Sequence, residues 1–213
     1  MKKIFIFGSG DLAKEIFFLI RKINFYKTTW QIEGFVNDKK QKNIYGYKVD
    51  TLTNIKKKYK NLKNFYAICG VMNVELKKKI LKNEIKKHFK IPTLIDPNVF
   101  IPTDLKVGKG SIILSNVSIS YNVKIDDYTI ISAGTVLGHG VQIGKNTLLA
   151  PGCMINGNTK IGSNCILNSG VQTLPRIIIG NDCTIGLGTS VFKNLDKKKT
   201  ISNLQRIIIH DRK

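Results

Sequence analysis

One histidine of the chain lies in a context that could support proton transfer. His139 stands between two glycines, in Gly138-His139-Gly140. Imidazole titrates close to neutral pH, so a histidine held against a substrate can act as a general base. An outward histidine beside glycines is equally compatible with an ordinary surface residue. The other two histidines, His88 in a lysine-rich helix and His210 near the C-terminus, are expected at the surface.

A second set of polar and glycine residues follows three predicted strands. A strand over residues 2–7 leads into Gly8-Ser9-Gly10-Asp11 and a helix, a strand over 32–36 ends at Asn37-Asp38, and a strand over 65–69 ends at Gly70. The carboxyl ends of parallel strands meet at one edge of a sheet, and a helix N-terminus offers free N–H groups to phosphate. The order of elements is typical of a Rossmann-like α/β domain with a ligand cleft at this edge. A lone Gly-x-Gly is also compatible with a simple tight turn.

The cysteines do not point to a metal or to a disulfide framework. Cys69, Cys153, Cys165 and Cys183 form no C-x-x-C pair, and a zinc site would need such spacing or several histidines. We therefore expect no metal cofactor.

A six-residue repeat dominates the second half of the chain and predicts its architecture. Counting by six from Ile101 to Val191, every position except Thr173 is Ile, Leu or Val. The position four residues later is small or β-branched and includes three of the four cysteines, which we predict to be packing residues. A period of six suits short strands that turn a corner, and three such faces form a triangular coil. We expect a local bulge or a corner distortion at Thr173-Leu174-Pro175, where the repeat lapses.

Charge and hydropathy narrow the function classes. The chain has 213 residues and a net charge of +21, with 35 Lys and Arg against 14 Asp and Glu. A positive surface favours polyanions, but aromatic residues are not interleaved with the lysine runs, so nucleic acid is not expected. The runs at 56–58, 77–79 and 197–199 are predicted to be solvated. We find no segment typical of a membrane span or a signal peptide and expect a cytoplasmic protein without stable membrane insertion.

The hexad [Ile/Leu/Val]-[Gly/other]-x-x-[Ser/Thr/Ala/Val/Cys]-x resembles that of the bacterial hexapeptide-repeat acyltransferases. With the preceding Gly-x-Gly turn, acidic strand end and Ile91-Pro92-Thr93 connector, the whole chain is similar to the nucleotide-amino-sugar N-acetyltransferases and sialic acid O-acetyltransferases. The resemblance implies a Rossmann-like nucleotide-sugar-binding domain over residues 1–95, an all-β left-handed parallel β-helix over 96–195 and a tail over 196–213. It further implies a homotrimer with active sites between subunits, acetyl-CoA as co-substrate, and a role in surface glycan biosynthesis.

The resemblance also assigns site residues. His139 would be the general base, and the backbone of Gly157 would face the oxyanion. The nucleotide sugar would contact Ser9, Gly10, Asp11, Asn37, Asp38 and Gly70. Acetyl-CoA would contact Gly157, Ser169, Gly186, Leu187, Gly188, Lys193 and Arg206.

Several positions depart from the family pattern. The residue after the histidine, usually acidic, is Gly140, and Asp126 or Asp127 could supply the carboxylate instead. Leu148 and Leu12 each stand where the family often has histidine, as does Asp96. Three readings stay open: an N-acetyltransferase acting on an amino sugar, an O-acetyltransferase of the sialic acid type, and a catalytically weakened homologue that binds nucleotide sugars.

Overall fold

The N-terminal domain is a five-stranded sheet with helices packed on it. The computed structural model describes residues 1–38 and 41–202. The sheet order is β3-β4-β2-β1-β5, and β1 pairs in parallel with both β2 and β5, which confirms the predicted Rossmann-like arrangement. The elements are β1 (Lys2–Phe7), α1 (Asp11–Tyr26), β2 (Trp30–Val36), β3 (Gln41–Ile44), β4 (Tyr47–Asp50), α2 (Leu52–Lys58), a 3₁₀ turn (Leu62–Asn64), β5 (Tyr66–Cys69), α3 (Val74–Ile80), a π-helical turn (Leu81–Ile85) and α4 (Lys86–His88).

Burial explains why these segments adopt their conformations. The four residues from Ile4 to Phe7 are all buried, as expected for a central parallel strand covered on both faces. In α1 the buried residues recur with helical spacing and form one apolar stripe, which faces the sheet and the second domain. The β3–β4 hairpin is absent from the sequence prediction. Its turn uses Tyr45 and Gly46, both with positive φ.

The second domain is a coil of two-residue parallel strands arranged on three faces. Each strand pairs with the strand one coil later, as where Val136 pairs with Met154, 18 residues on. One face holds β6 (Leu94–Ile95), β8 (Ile112–Ile113), β11 (Ile130–Ile131), β14 (Leu148–Leu149), β17 (Ile166–Leu167), β20 (Thr184–Ile185) and β22 (Thr200–Ile201). The next holds β7 (Lys106–Val107), β10 (Lys124–Ile125), β13 (Gln142–Ile143), β16 (Lys160–Ile161) and β19 (Ile178–Ile179). The third holds β9 (Ser118–Ile119), β12 (Val136–Leu137), β15 (Met154–Ile155), β18 (Gln172–Thr173) and β21 (Ser190–Val191). We call them the covered face, the lysine face and the open face.

The three corners between these faces have a common conformation. From Gly110 to Gly188 the second corner residue is left-handed, for example Gly140 at φ 67° and Asn158 at φ 60°. Glycine and asparagine tolerate this region better than other residues do, which explains their frequency there. Two of the corners flank the open face. The histidine corner contains Tyr121, His139, Gly157 and Pro175, and the serine corner contains Ala133, Pro151, Ser169 and Leu187.

The small inward position carries a ladder of side-chain hydrogen bonds. Thr147 Oγ1 donates to the carbonyl of Gly162 at 2.8 Å, and Cys165 Sγ donates to that of Gly180 at 3.1 Å. Each bond reaches a residue 15 positions later, in the next coil. Cys153, Cys165 and Cys183 are fully buried in this ladder, which confirms that they are packing residues.

Of the two alternatives expected at Thr173, the bulge is wrong, whereas the backbone pairing between β15 and β18 is locally distorted. The spacing of six continues, and Thr173 is buried at an inward position. The backbone N–H of Asn156 donates to Thr173 Oγ1 at 3.1 Å, while Asn156 Nδ2 donates to the Thr173 carbonyl at 2.6 Å. The lapse is thus a local exchange of hydrogen bonds, without an inserted residue.

The N-terminal domain packs on the covered face of the coil. Outward residues such as Ile112, Ile130 and Leu148 form one buried cluster with Leu12 and Ile16 of α1. The contact is completed by polar groups. The Lys22 ammonium contacts both carboxylate oxygens of buried Asp96, at 2.8 and 2.9 Å, and Asn146 Nδ2 donates to the Val74 carbonyl.

Candidate active site

The histidine corner presents an imidazole held between two neighbours. His139 is an exposed turn residue, and its carbonyl accepts the N–H of Asn158 at 2.7 Å. Its ring stacks on Tyr121, one coil earlier, with centroids 5.4 Å apart and an interplanar angle of 12°. Its other neighbour is Gly157, one coil later, where an added methyl group would come within 2.5 Å of Nε2. Only a glycine at 157 leaves room for the ring in this position.

The backbone of Gly157 supplies a hydrogen-bond donor beside that ring. Its carbonyl accepts the N–H of Arg176 at 2.9 Å, whereas its own N–H has no acceptor in the described part of the chain. The residue is buried, so the donor lies in a partly protected position. An unpaired N–H next to an imidazole is the arrangement that can stabilise negative charge developing beside a general base.

The place of the family's acidic residue is taken by an amide. A Cβ at Gly140 would collide with Oδ1 of Asn158. An acidic side chain at 140 would therefore require the Asn158 side chain to move.

The N-terminal cleft gathers several of the predicted ligand residues. Ser9 Oγ accepts a hydrogen bond from Asn37 Nδ2 at 2.8 Å. Gly70 follows β5, and its N–H donates to the carbonyl of Phe7, at the end of β1. Gly10 is the N-cap residue of α1, and an added methyl group there would meet nothing within 4 Å, so the helix N-terminus is open. The Asp11 carboxylate is exposed beside Lys14, while the N–H of Asp38 donates to Asn37 Oδ1.

Comparisons with known proteins recognise the same two parts. Residues 3–83 match the PglD N-terminal domain, and residues 122–157 and 140–173 match the bacterial transferase hexapeptide (six repeats). The chain joins a PglD-type domain to transferase hexapeptide repeats. This architecture confirms the resemblance drawn from the sequence. No curated protein sequence matches the chain.

Solved structures match along almost the whole length. The acetyltransferase domain of PglB from Neisseria gonorrhoeae, in complex with acetyl coenzyme A, is 22% identical with a TM-score of 0.85, covering 95% of this chain and 96% of that one. A histidine-to-asparagine mutant of perosamine N-acetyltransferase from Caulobacter crescentus, in complex with CoA and GDP-perosamine, is 20% identical with a TM-score of 0.86, covering 99% and 98%. WeeI from Acinetobacter baumannii is 20% identical with a TM-score of 0.82, covering 95% and 97%. At these identities the likeness establishes the fold, a left-handed β-helix preceded by a PglD-type domain.

The residues predicted to contact acetyl-CoA divide between two corners of the hexapeptide coil. Gly157 and Lys193 lie at the histidine corner. Ser169 and the segment Gly186-Leu187-Gly188 follow the serine corner, at the opposite edge of the open face. Arg206 lies outside the described residues. A single chain therefore does not bring these groups into one site.

The carboxylates considered as substitutes for an acidic residue at 140 lie at the third corner. Asp127 Oδ1 accepts the N–H of Lys109 at 3.0 Å, and Asp126 lies 3.5 Å from the Lys124 ammonium. Neither carboxylate contacts His139 within residues 1–38 and 41–202. In the same range, no group of three His, Cys, Asp or Glu side chains could hold a metal ion.

Three departures from the family pattern serve the domain interface. Leu148 and Leu12 are both 4% exposed in the cluster between the PglD-type domain and the coil. Asp96 is held there by Lys22. Leu148 therefore has a packing role on the covered face.

A buried lysine lies behind the N-terminal cleft. Lys77, predicted to be solvated, is 1% exposed, and its ammonium donates to the carbonyl of Tyr128 at 3.0 Å. Burial lowers the pKa of Lys77 to about 8, and burial also raises the pKa of the neighbouring Cys69 thiol to about 11. The burial of Lys77 could not be predicted from the sequence, because this residue begins a run of three lysines whose other members are exposed.

No helix in the described residues is long and apolar enough to cross a bilayer.

Proposed function

We propose that the chain is an acetyl-CoA-dependent N-acetyltransferase that acylates an amino group of a nucleotide-linked amino sugar, with His139 as general base. The observation that carries this proposal is the contact between the His139 imidazole and Gly157, whose N–H has no acceptor in the described part of the chain. A base and an N–H donor side by side are what acyl transfer from a thioester requires.

Each residue has a distinct part in the reaction. Acetyl-CoA would supply the activated acetyl group. His139 would remove the proton from the acceptor amine as its nitrogen attacks, and would then donate it to the departing thiolate. The Gly157 N–H would donate to the carbonyl oxygen as negative charge develops on it.

The acceptor would bind at the strand ends of the PglD-type domain. Ser9, Asn37 and Gly70 meet there, and the open N-terminus of α1 at Gly10 suits the diphosphate of a nucleotide sugar. The relative from Caulobacter crescentus is named for GDP-perosamine, an amino-sugar nucleotide, which favours nitrogen as the acceptor. We propose the cytoplasm as the location and surface glycan biosynthesis as the role, since both substrates are cytoplasmic metabolites.

Assembly would complete the acetyl-CoA site. The histidine and serine corners flank the open face, where Val136 and Met154 are 38% and 43% exposed. If copies of the chain pack through this face around a three-fold axis, the histidine corner of one meets the serine corner of the next. We therefore propose a homotrimer whose active sites lie between subunits.

The decisive experiment is an assay of thiol release from acetyl-CoA, with UDP-, dTDP- and GDP-linked amino sugars as acceptors. We expect transfer by the wild type and a loss of at least about 100-fold in His139→Ala, the usual contribution of a general base. His88→Ala is the matched control and should retain activity, because His88 lies in α4, away from the corner. Equal rates for His139→Ala and wild type would refute the mechanism.

Product chemistry separates the remaining readings. An N-acetyl product resists hydroxylamine, whereas an O-acetyl ester is cleaved by it. An ester product would indicate the sialic acid type of O-acetyltransferase. Binding of a nucleotide sugar without any transfer would indicate a weakened homologue.

A further inference from the structure

Tyr121 is a large aromatic residue that the proposed mechanism does not yet use. It is 63% exposed and contributes little to the core of the coil. Its ring nevertheless lies nearly parallel to the His139 imidazole, at a centroid distance of 5.4 Å. Parallel stacking at this distance is an attractive geometry for aromatic rings, so the contact restrains both of them.

The His139 ring has few other restraints. No carboxylate contacts it within the described residues, and the following residue, Gly140, has no side chain. The Asn158 amide fills the adjacent space. A catalytic imidazole usually needs a partner that fixes its orientation and favours its protonated form, a task most often performed by a carboxylate. At this corner, the two groups that contact the ring faces are Tyr121 and Gly157.

We propose that Tyr121 is the positioning residue for His139, holding the imidazole over Gly157 and stabilising its protonated form through the face of the phenol ring. A cation over an aromatic face is attracted by the negative charge of that face. The stack thereby performs the task of the missing carboxylate. This inference rests on the proposed acetyl transfer.

The role belongs to a defined step. The amine nitrogen forms its bond to the acetyl carbon, the carbon–sulfur bond breaks with its electron pair on sulfur, and the amine proton passes through His139 to the departing thiolate, giving the free thiol. Positive charge exists on the imidazole only between the two proton transfers, so Tyr121 would act chiefly on kcat and little on substrate binding.

Three variants of the full chain separate stacking from other effects. Tyr121→Phe keeps an aromatic ring and removes the hydroxyl, whereas Tyr121→Leu removes the stack and keeps apolar bulk. We expect Tyr121→Phe to retain kcat within about twofold and Tyr121→Leu to lose roughly 3- to 30-fold, the range that a cation–π contact supports, with KM for both substrates nearly constant. Ile178→Leu, also outward and half-exposed but on the lysine face, is the control for a changed surface.

A second measurement does not depend on turnover. In the proton NMR spectrum, the ring signals of His139, assigned by their loss in His139→Ala, should carry a ring-current shift from the Tyr121 ring. The shift should persist in Tyr121→Phe and disappear in Tyr121→Leu.

The outcomes are distinct. A Tyr121→Leu variant with wild-type kcat and unchanged His139 signals would overturn the positioning role while leaving the proposed function intact. Absence of transfer by the wild type with every acceptor would overturn the proposed function and this role together. A fall in kcat of Tyr121→Leu at unchanged KM, together with near-wild-type kcat in Tyr121→Phe, would establish the positioning role.

Discussion

The His139 imidazole lies directly against Gly157, so that a single methyl group on Gly157 would come within 2.5 Å of Nε2. The two residues are one coil apart in a register set by backbone hydrogen bonds on the flanking faces. The corner is therefore a rigid support for the ring. It also places an N–H without an acceptor in the described chain beside that ring.

Gly157→Ala should abolish most activity while leaving the fold intact. The new methyl group would lie 2.5 Å from Nε2 and would displace the imidazole by about 1 Å to reach an ordinary contact distance. Misplacement of a catalytic group by about 1 Å can cost on the order of 100-fold in rate. Thermal unfolding should stay close to that of wild type, because the collision is with an exposed side chain. Pro175→Ala, one coil later in the same corner, is the matched control and should keep wild-type kcat. Full activity of Gly157→Ala would mean that the ring does not work from this position.

Much of this arrangement was predictable from the repeat. Hexad counting places His139 and Gly157 at the same corner, 18 residues apart, and the same count leads back to Tyr121. The stack itself was missed, because an exposed tyrosine has no periodic signature. The lapse at Thr173 is a second overlooked signal, since its hydroxyl and carbonyl bind Asn156, the residue immediately before Gly157.

Contacts between the domains were much harder to predict. Leu148 and Leu12 looked like altered site residues because local sequence does not reveal which face of the coil another domain covers. Lys77 looked solvated for the same reason, since it shares its run with exposed lysines. Burial of such residues depends on docking across about 50 residues of sequence, as in the bond from Lys77 to Tyr128.

Thr147→Val should destabilise the coil more than Thr135→Val. Thr147 Oγ1 donates to the Gly162 carbonyl at 2.8 Å and accepts the buried N–H of Cys165 at 3.1 Å. The Thr135 hydroxyl makes a longer bond, 3.4 Å, to Ala150. Leaving buried partners unpaired costs about 1–3 kcal/mol, so urea unfolding should show that loss for Thr147→Val and a smaller one for Thr135→Val. A larger loss of stability in Thr135→Val than in Thr147→Val would contradict the stabilising role of the hydrogen-bond ladder.

The four cysteines should be inert in the native protein. All are buried free thiols, and burial raises the pKa of Cys69, Cys153 and Cys165 to about 11. Thiolate is the reactive form, so Ellman's reagent at pH 8 should react slowly with the native chain and with all four thiols after unfolding. Phe25→Cys, in α1 at a position 86% exposed, should add one fast-reacting thiol. Rapid reaction of the native wild type would show that the coil opens readily.

Lys77→Met should change how stability depends on pH. Burial lowers the pKa of Lys77 from 10.5 to about 8, so above pH 8 the unfolded chain holds a proton that the folded chain releases. Folding then becomes more favourable as pH rises, and for Lys77 alone the gain between pH 7 and 9 is about 1 kcal/mol. The methionine variant lacks this pH-dependent contribution to the free energy of unfolding, and it also loses the hydrogen bond to Tyr128.

Between pH 7 and 9 we therefore expect the free energy of unfolding of wild type to rise by about 1 kcal/mol relative to that of Lys77→Met, as measured by urea unfolding. The exposed neighbour Lys78 provides the control, since the free energy of unfolding of Lys78→Met should change with pH as that of wild type does. Parallel curves for Lys77→Met would instead mean that Lys77 is solvated, and that the PglD-type domain does not close over it against the coil.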